Sequence, residues 1–217
     1  RWSWSVTVTE NLPVAQRIII FGQQDRRKRL DPRLRLAQAH RVDRFQTRAE
    51  KVAYLAALEL SRDPRSPLHN KIFFGQKARG RLPRDKHNLM SLFQYIKQAV
   101  GKTSALHGYS IEEQVRIIVN LFVAAAAVWP AFWTRDGHPL ARPLGIDALL
   151  VLLSRQPRFS GMIGRDHGLE NMQRVLGLGK RFQWITRKDP ATVNPGTLSL
   201  RLDDHLWRSE IGSRPDP

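Results

Sequence analysis

Arg17, Arg26, Arg27, Lys28, Arg29, Arg33, Arg35, Arg41, Arg44 and Arg48 face only Asp25, Asp31 and Asp43 in one short stretch of chain. A second basic set, Lys77, Arg79, Arg81, Arg84 and Lys86, follows Gly75 and surrounds Gly80. A guanidinium group presents a planar fork of donors that matches two phosphate oxygens at once, so arginine-dominated stretches suit backbone phosphate. Such contacts give affinity and orientation without choosing a sequence. Across the chain 36 Lys and Arg stand against 19 Asp and Glu, a formal charge of +17 at pH 7. So large a surplus repels itself in a compact state, and a polyanion relieves it. Nucleic acid is the leading partner on this reading. The alternatives are a solvated basic surface from an arginine-favouring genome, an acidic protein, or anionic lipid.

Other chemistry is thin. There is no glycine loop ending in Lys-Ser/Thr, no HExxH, and no serine in a nucleophile elbow. Gly177-Leu178-Gly179 lacks a preceding strand and a third glycine, and reads as a helix terminator. Asp136-Gly137-His138-Pro139 reads as a tight turn whose Asp and His are two donors, where a metal needs three or four. Asp166-His167 and Asp203-Asp204-His205 are similar fragments. Trp2, Trp4, Trp184 and Trp207 have faces on which bases can stack, although core or interface packing accounts for tryptophans more often. No catalytic residue, metal ligand or cofactor is assigned.

The 217 residues, 41% hydrophobic and 25% charged, can support one sizeable core or two small ones. The lack of cysteine excludes zinc ribbons, zinc fingers, thiol nucleophiles and disulfides, and leaves the redox compartment open. Arg1 to Thr9 lacks the apolar region of a signal peptide. From Ile117 to Trp133 the chain is apolar except for Asn120, at the short end of what spans a bilayer. Pro130 interrupts that run and mean hydropathy is −0.41 overall, so the expectation is a buried central helix and no membrane partner.

The elements that position the cations follow from caps and periodicity. Trp2, Trp4, Val6 and Val8 alternate with polar residues as in a half-buried strand. Its partners are not evident downstream and the first residue is not methionine, two signs that sequence precedes Arg1. Val14 to Phe21 is expected to be a short helix. Asp31-Pro32 opens a second helix through about Ala39, with Leu30, Leu34 and Ala37 on one face and Arg33 and Arg35 projecting away from it. Thr47 with Glu50, and Ser110 with Glu113, are capping boxes for helices over 48–60 and 112–129. Leu68 to Phe74 is expected to be extended, Gln76 to Lys86 a loop, and Leu89 to Val100, Ile146 to Leu153 and Leu169 to Leu176 helices. Thr197 to Leu202 is a strand candidate.

Several segments in order resemble the carboxyl-terminal half of the DGQHR-domain family, which includes DndB-like proteins of bacterial DNA phosphorothioate modification and is related to the ParB-like fold. They are Glu10-Asn11-Leu12 with Gln16 and Phe21, then Lys28-Arg29 and the helix at Leu34. Ser66-Pro67-Leu68-His69-Asn70-Lys71-Ile72 is similar to an extended segment of that family. Trp129-Pro130 with Trp133, and Pro143-Leu144-Gly145-Ile146 leading into Ala148-Leu149-Leu150, complete the match. The D-G-Q-H-R signature is absent, and Gly22-Gln23-Gln24 stands where the family has Ile-Asn, so no activity carries over. The resemblance implies a cytoplasmic bacterial protein tied to DNA modification, phage defence or their regulation, and favours DNA over RNA.

The expected architecture is mainly α (α+β), a helical core around one long apolar helix with a few short strands. Residues 1–160 form the core and 161–217 a C-terminal extension packed on it. The leading function is non-catalytic DNA binding or regulation through Arg26 to Arg35 and Lys77 to Lys86. The alternatives are a metal-dependent nucleic-acid-processing enzyme or subunit using Asp136, Asp166 and Asp203, and a basic scaffold for an acidic protein.

Overall fold

The computed structural model describes residues 31–74, 87–134, 138–184 and 193–212, with positions 13 and 16. The expected strand over 1–9 and helix over 14–21 therefore lie outside the described residues. The protein is mainly helical, with two short parallel strands. The helices are α1 (Pro32–Arg41), α2 (Arg48–Arg62), α3 (Leu89–Ala99), α4 (Ile111–Val128), α5 (Pro130–Thr134), α6 (Pro143–Arg155), α7 (Pro157–Ile163), α8 (Leu169–Gly177) and α9 (Pro195–Gly212). A 3-10 turn at Pro139–Ala141 leads into α6. Strands β1 (Ile72–Phe73) and β2 (His87–Asn88) pair in register Ile72 to His87 and Phe73 to Asn88.

Local chemistry sets most boundaries. The Asp31 carboxylate accepts from the Arg33 N–H and Pro32 fills the first turn of α1. Ser110 and Glu113 cap α4 reciprocally, side chain to backbone in both directions. Thr47 caps α2 through the Glu50 N–H, but the Glu50 carboxylate reaches past the cap to the Gln46 N–H. Pro130 does not end α4 from within; it opens α5 after Trp129. Only Ile72–Phe73 of the expected extended segment is a strand, because Ser66 to Lys71 coils into successive turns, with the Leu68 N–H on the Ser66 hydroxyl.

Helix neighbours close into a ring: α2 packs on α3, α3 on α6, α6 on α9, α9 on α7, α7 on α8, α8 on α4, and α4 back on α2. α6 touches α4 only lightly. Its buried residues Ile146, Ala148, Leu149, Leu150, Leu152 and Leu153 point to more than one side, which lets it stand between α3 and α9. The expectation of a buried central helix over the apolar run from Ile117 is met only in part: Ala127 is exposed, and Val119, Asn120, Ala126 and Val128 are half-buried. No helix among the described residues is long and apolar enough to cross a membrane. One hydrophobic cluster includes Leu121 and Phe122 of α4, Met172 and Val175 of α8, and Leu198, Leu202 and Leu206 of α9.

The strand expected over 197–202 is instead the start of α9. Asn194 accepts from the Thr197 N–H, Pro195 opens the helix, and Leu198, Leu202 and Leu206 fall on one buried face at a spacing of four. Gly177 ends α8 as its sequence suggests, and Gly179 lies where two elements meet. A Cβ there would stand 3.0 Å from Leu206 Cδ2 and 3.2 Å from Trp129 Cζ2. The Trp129 indole N–H donates to the Gly179 carbonyl at 3.1 Å, and Trp184 packs edge-on to Trp129 with ring centroids 5.2 Å apart. Trp184 is therefore a core residue.

Helix α7 lacks a side-chain cap of its own. Asp203 of α9 supplies one across the interface, its carboxylate accepting from the Phe159 N–H at 2.7 Å, while Asp204 holds Arg158. Burial pushes the Asp203 carboxyl up, against the Phe159 N–H and Arg158, which pull it down; Asp204 adds to the rise. A raised folded value means that this group favours folding while protonated and loses that contribution as pH rises towards that value. Asp203→Ala orphans the Phe159 N–H and is expected to lower stability by about 1–3 kcal/mol. Asp203→Asn keeps the acceptor without the charge and is expected to equal or exceed the parent at neutral pH. Urea unfolding of both variants checks the pair.

Candidate nucleic-acid interface

Of the cations singled out in the sequence, Arg26, Arg27, Lys28, Arg29, Lys77, Arg79, Arg81, Arg84 and Lys86 lie outside the described residues. Arg33 and Arg35 are described, and both are engaged inside the protein. Arg33 is 8% exposed; its guanidinium donates to Asn88 Oδ1 at 3.1 Å and stands 5.7 Å from the centre of the Phe73 ring. This corrects the expected facing of α1: Arg33 and Leu36 form its buried side, while Leu34 and Ala37 are half-buried. An arginine can take a core-facing position when its stem covers an aromatic face and its head finds an acceptor. Asn88 also caps α3 by accepting from the Met90 N–H, so Arg33 ties α1 to the start of that helix.

Arg35 meets Glu50 at 3.3 Å. Glu50 is buried and gathers Arg35 of α1, Lys97 of α3 at 3.4 Å, and the Gln46 N–H at 3.2 Å. Burial raises this carboxyl, yet the Arg35 hydrogen bond and charge, the Gln46 N–H and the Lys97 charge together bring it below the usual glutamate range. Sequence reasoning assigned Glu50 to a cap alone, because Arg35 and Lys97 reach it only through the fold.

Three exposed arginines lie at or just beyond the ends of the first two helices: Arg41, Arg44 and Arg62. After Arg41 the chain turns sharply: the Asp43 N–H donates to the His40 carbonyl at 3.3 Å and the Arg44 N–H to the Ala39 carbonyl at 2.9 Å. This closing pattern needs a left-handed residue, here Asp43 at φ 49° rather than glycine. The turn brings Phe45 back beside the end of α1. There His40, Phe45 and Tyr54 form a triangle of rings with centroids 5.1 to 6.5 Å apart, and Phe74 meets Tyr54 edge-on at 6.2 Å. Tyr54 is the buried floor, Phe45 and Phe74 are half-buried, and His40 is exposed.

Arg41 and Arg62 flank this triangle. Burial pushes the Tyr54 phenol up, and the positive charges of Arg62 and Arg41 pull it down. Arg41, Arg44 and Arg62 are all exposed and form no ion pair with another described residue. Of the neighbouring carboxylates, Asp43 is used by Lys51 at 2.6 Å, Asp63 by Arg65 at 2.8 Å and Glu50 by Arg35 and Lys97, while Glu59 stands exposed on α2 three residues before Arg62. Arg48, also exposed, donates to the Tyr109 carbonyl. The result is an aromatic patch edged by guanidinium groups. Phe74 also leads in sequence directly into the segment carrying Lys77 to Lys86.

The carboxylates considered for a metal do not assemble among the described residues. Asp136 lies outside them, Asp203 is committed to Phe159, and Asp166 turns onto the Gly168 N–H at 2.8 Å. No three His, Asp or Glu side chains among the described residues are placed to hold an ion. A pocket of about 80 Å³ opens between Tyr109, Leu153, Phe159, Ser160, Ile163 and His167. Burial keeps the His167 imidazole below its usual range. No protein family, curated protein or solved structure matches the chain.

Because Glu50 is held below the usual glutamate range, it stabilises the fold above that range, and the contribution fades as pH falls through its folded value. Breaking a fully buried ion pair costs about 3–5 kcal/mol. Arg35 and Lys97 are each 36% exposed, so water partly replaces the lost carboxylate. Glu50→Ala is therefore expected to cost about 1–3 kcal/mol at pH 7. The gap to the parent should narrow as pH falls below the usual glutamate range, measured by chemical denaturation at each pH.

Proposed function

We propose that the protein binds nucleic acid through its phosphate backbone, with Arg41, Arg44 and Arg62 as contacts and the basic segments 26–29 and 77–86 adding to its positive charge. The observation that carries this reading is the set of exposed guanidinium groups around the α1–α2 aromatic patch, with Asp43, Glu50 and Asp63 already paired to other cations. Arg33 and Arg35 join α1 to the body of the protein and are supporting residues in this proposal. A field of one sign speeds encounter with a polyanion, and bidentate arginine contacts then hold it. The ordered likeness to DGQHR-domain proteins supports DNA over RNA, and a cytoplasmic bacterial setting in DNA modification, phage defence or their regulation. The role proposed is non-catalytic.

Each phosphate neutralised by a cation releases counterions, so affinity falls as salt rises, with a log–log slope set by the number of contacts. Parent protein is expected to shift labelled DNA at low salt and to release it steeply between about 50 and 200 mM. Arg41→Ala, Arg44→Ala and Arg62→Ala should each weaken binding on every sequence and reduce the slope by about 1. Arg142→Ala, an exposed arginine outside the patch, serves as the comparison. A flat salt response, or a triple variant that binds like the parent, would overturn the proposal. Tight salt-sensitive capture of an acidic protein with no DNA binding would favour the scaffold reading instead.

A further inference from the structure

Building on the phosphate-binding reading above, we infer that the His40–Phe45–Tyr54 rings form a platform on which unpaired bases stack, so that the preferred ligand is single-stranded nucleic acid. Arginines alone do not distinguish strand states, because phosphates are present in both. The rings do. A duplex hides the faces of its bases, whereas a single strand offers them to any exposed aromatic surface.

The geometry suits that use. The rings are tilted by 43 to 47° to one another instead of lying face to face, so His40 and Phe45 do not cover each other's faces. Tyr54, anchored on α2 and only 6% exposed, supports them from below. His40 is exposed and meets the core only through the Tyr54 ring, and Phe45 is half-buried at the core's edge. The turn through Asp43 fixes Phe45 beside His40 with two backbone hydrogen bonds, so the platform is set before a ligand arrives. Arg41 and Arg44 lie one residue from His40 and Phe45, and Arg62 lies two helical turns beyond Tyr54 on α2. His40 and Phe45 thus each have an arginine as chain neighbour, as each base of a strand has a phosphate beside it. Arginine can also cover a base by cation–π contact.

Full-length protein should be titrated by fluorescence anisotropy with three probes at one ionic strength. These are an oligothymidine of about 12 nucleotides, an abasic strand of the same length and charge, and the matching duplex. The parent is expected to bind oligothymidine most tightly, and the abasic strand between about fivefold and a hundredfold more weakly. Phe45→Leu keeps apolar volume without a π face; it should shrink the gap between oligothymidine and abasic strand while leaving the salt slope unchanged. His40→Ala, at an exposed position, should act in the same direction with little risk to folding, and Phe45→Trp should restore the gap. Thermal melting of each variant separates a lost platform from a lost fold. Equal affinity for abasic and base-bearing strands, tighter binding of duplex, or ring variants that behave like the parent would overturn the stacking platform and leave phosphate binding standing. No binding to any probe at low salt would remove both.

Discussion

Carboxylates are scarce in this chain, and the placement of one of them, Glu50, governs how the basic surface is built. It is buried where α1, α2 and α3 converge, and draws in Arg35, Lys97 and the Gln46 N–H. A buried carboxylate is tolerable only when its charge is answered and its lone pairs are filled. That requirement fixes α1 against α2 and α3, and Arg33 adds a second tie to Asn88. With α1 held on both sides, its last turn and the bend through Asp43 have a defined direction. The rings and arginines at that end inherit it. Asp203 plays the comparable part at the opposite side of the ring of helices, capping α7 from α9. Glu50 and Asp203, spent on internal joints, are unavailable to neutralise exposed guanidinium groups such as those of Arg41, Arg44 and Arg62.

Much of the helical frame was legible because its signals are local. The Ser110 and Glu113 pair marks the start of α4 within a few residues, and Asp31-Pro32 does the same for α1. Where the reading failed, a competing local pattern pointed elsewhere. Thr197 to Leu202 alternates well enough to pass as a strand, yet Leu206 continues a spacing of four that only a longer window reveals. Charge misled at α1. Arg33 looked solvent-facing by residue type, but burial depends on Phe73 and Asn88, whose positions come from the pairing of β1 with β2.

The candidate site was legible only in its charge. Arg41 and Arg44 belong to the basic window that stands out in the sequence, although other members of that window carried the expected contacts. The rings around them did not stand out. His40 and Phe45 are separated by a turn, Tyr54 lies on the next helix, and Phe74 follows a strand. Nothing in their spacing predicts a common patch. It arises because the Asp43 bend folds one helix end back onto the side of another.

Arg41 and Arg62 each close a helix, and cations at helix C-termini have a structural reason to exist. The unsatisfied carbonyls there amount to roughly half a negative charge, and a nearby cation stabilises them by about 0.3–1 kcal/mol. Helix stability therefore accounts for a basic residue at each position. It does not account for the field that results. One full positive charge against half a negative one leaves a surplus at the end of α1, and Arg44, beyond its last turn, adds a charge that helps the helix less. His40 and Arg41 end one helix and Arg62 the other, with Tyr54 between them. Cations from two helix ends thus act on one aromatic patch. A dipole argument explains why the arginines are tolerated singly, whereas their convergence around rings is what a negatively charged, base-bearing strand can exploit.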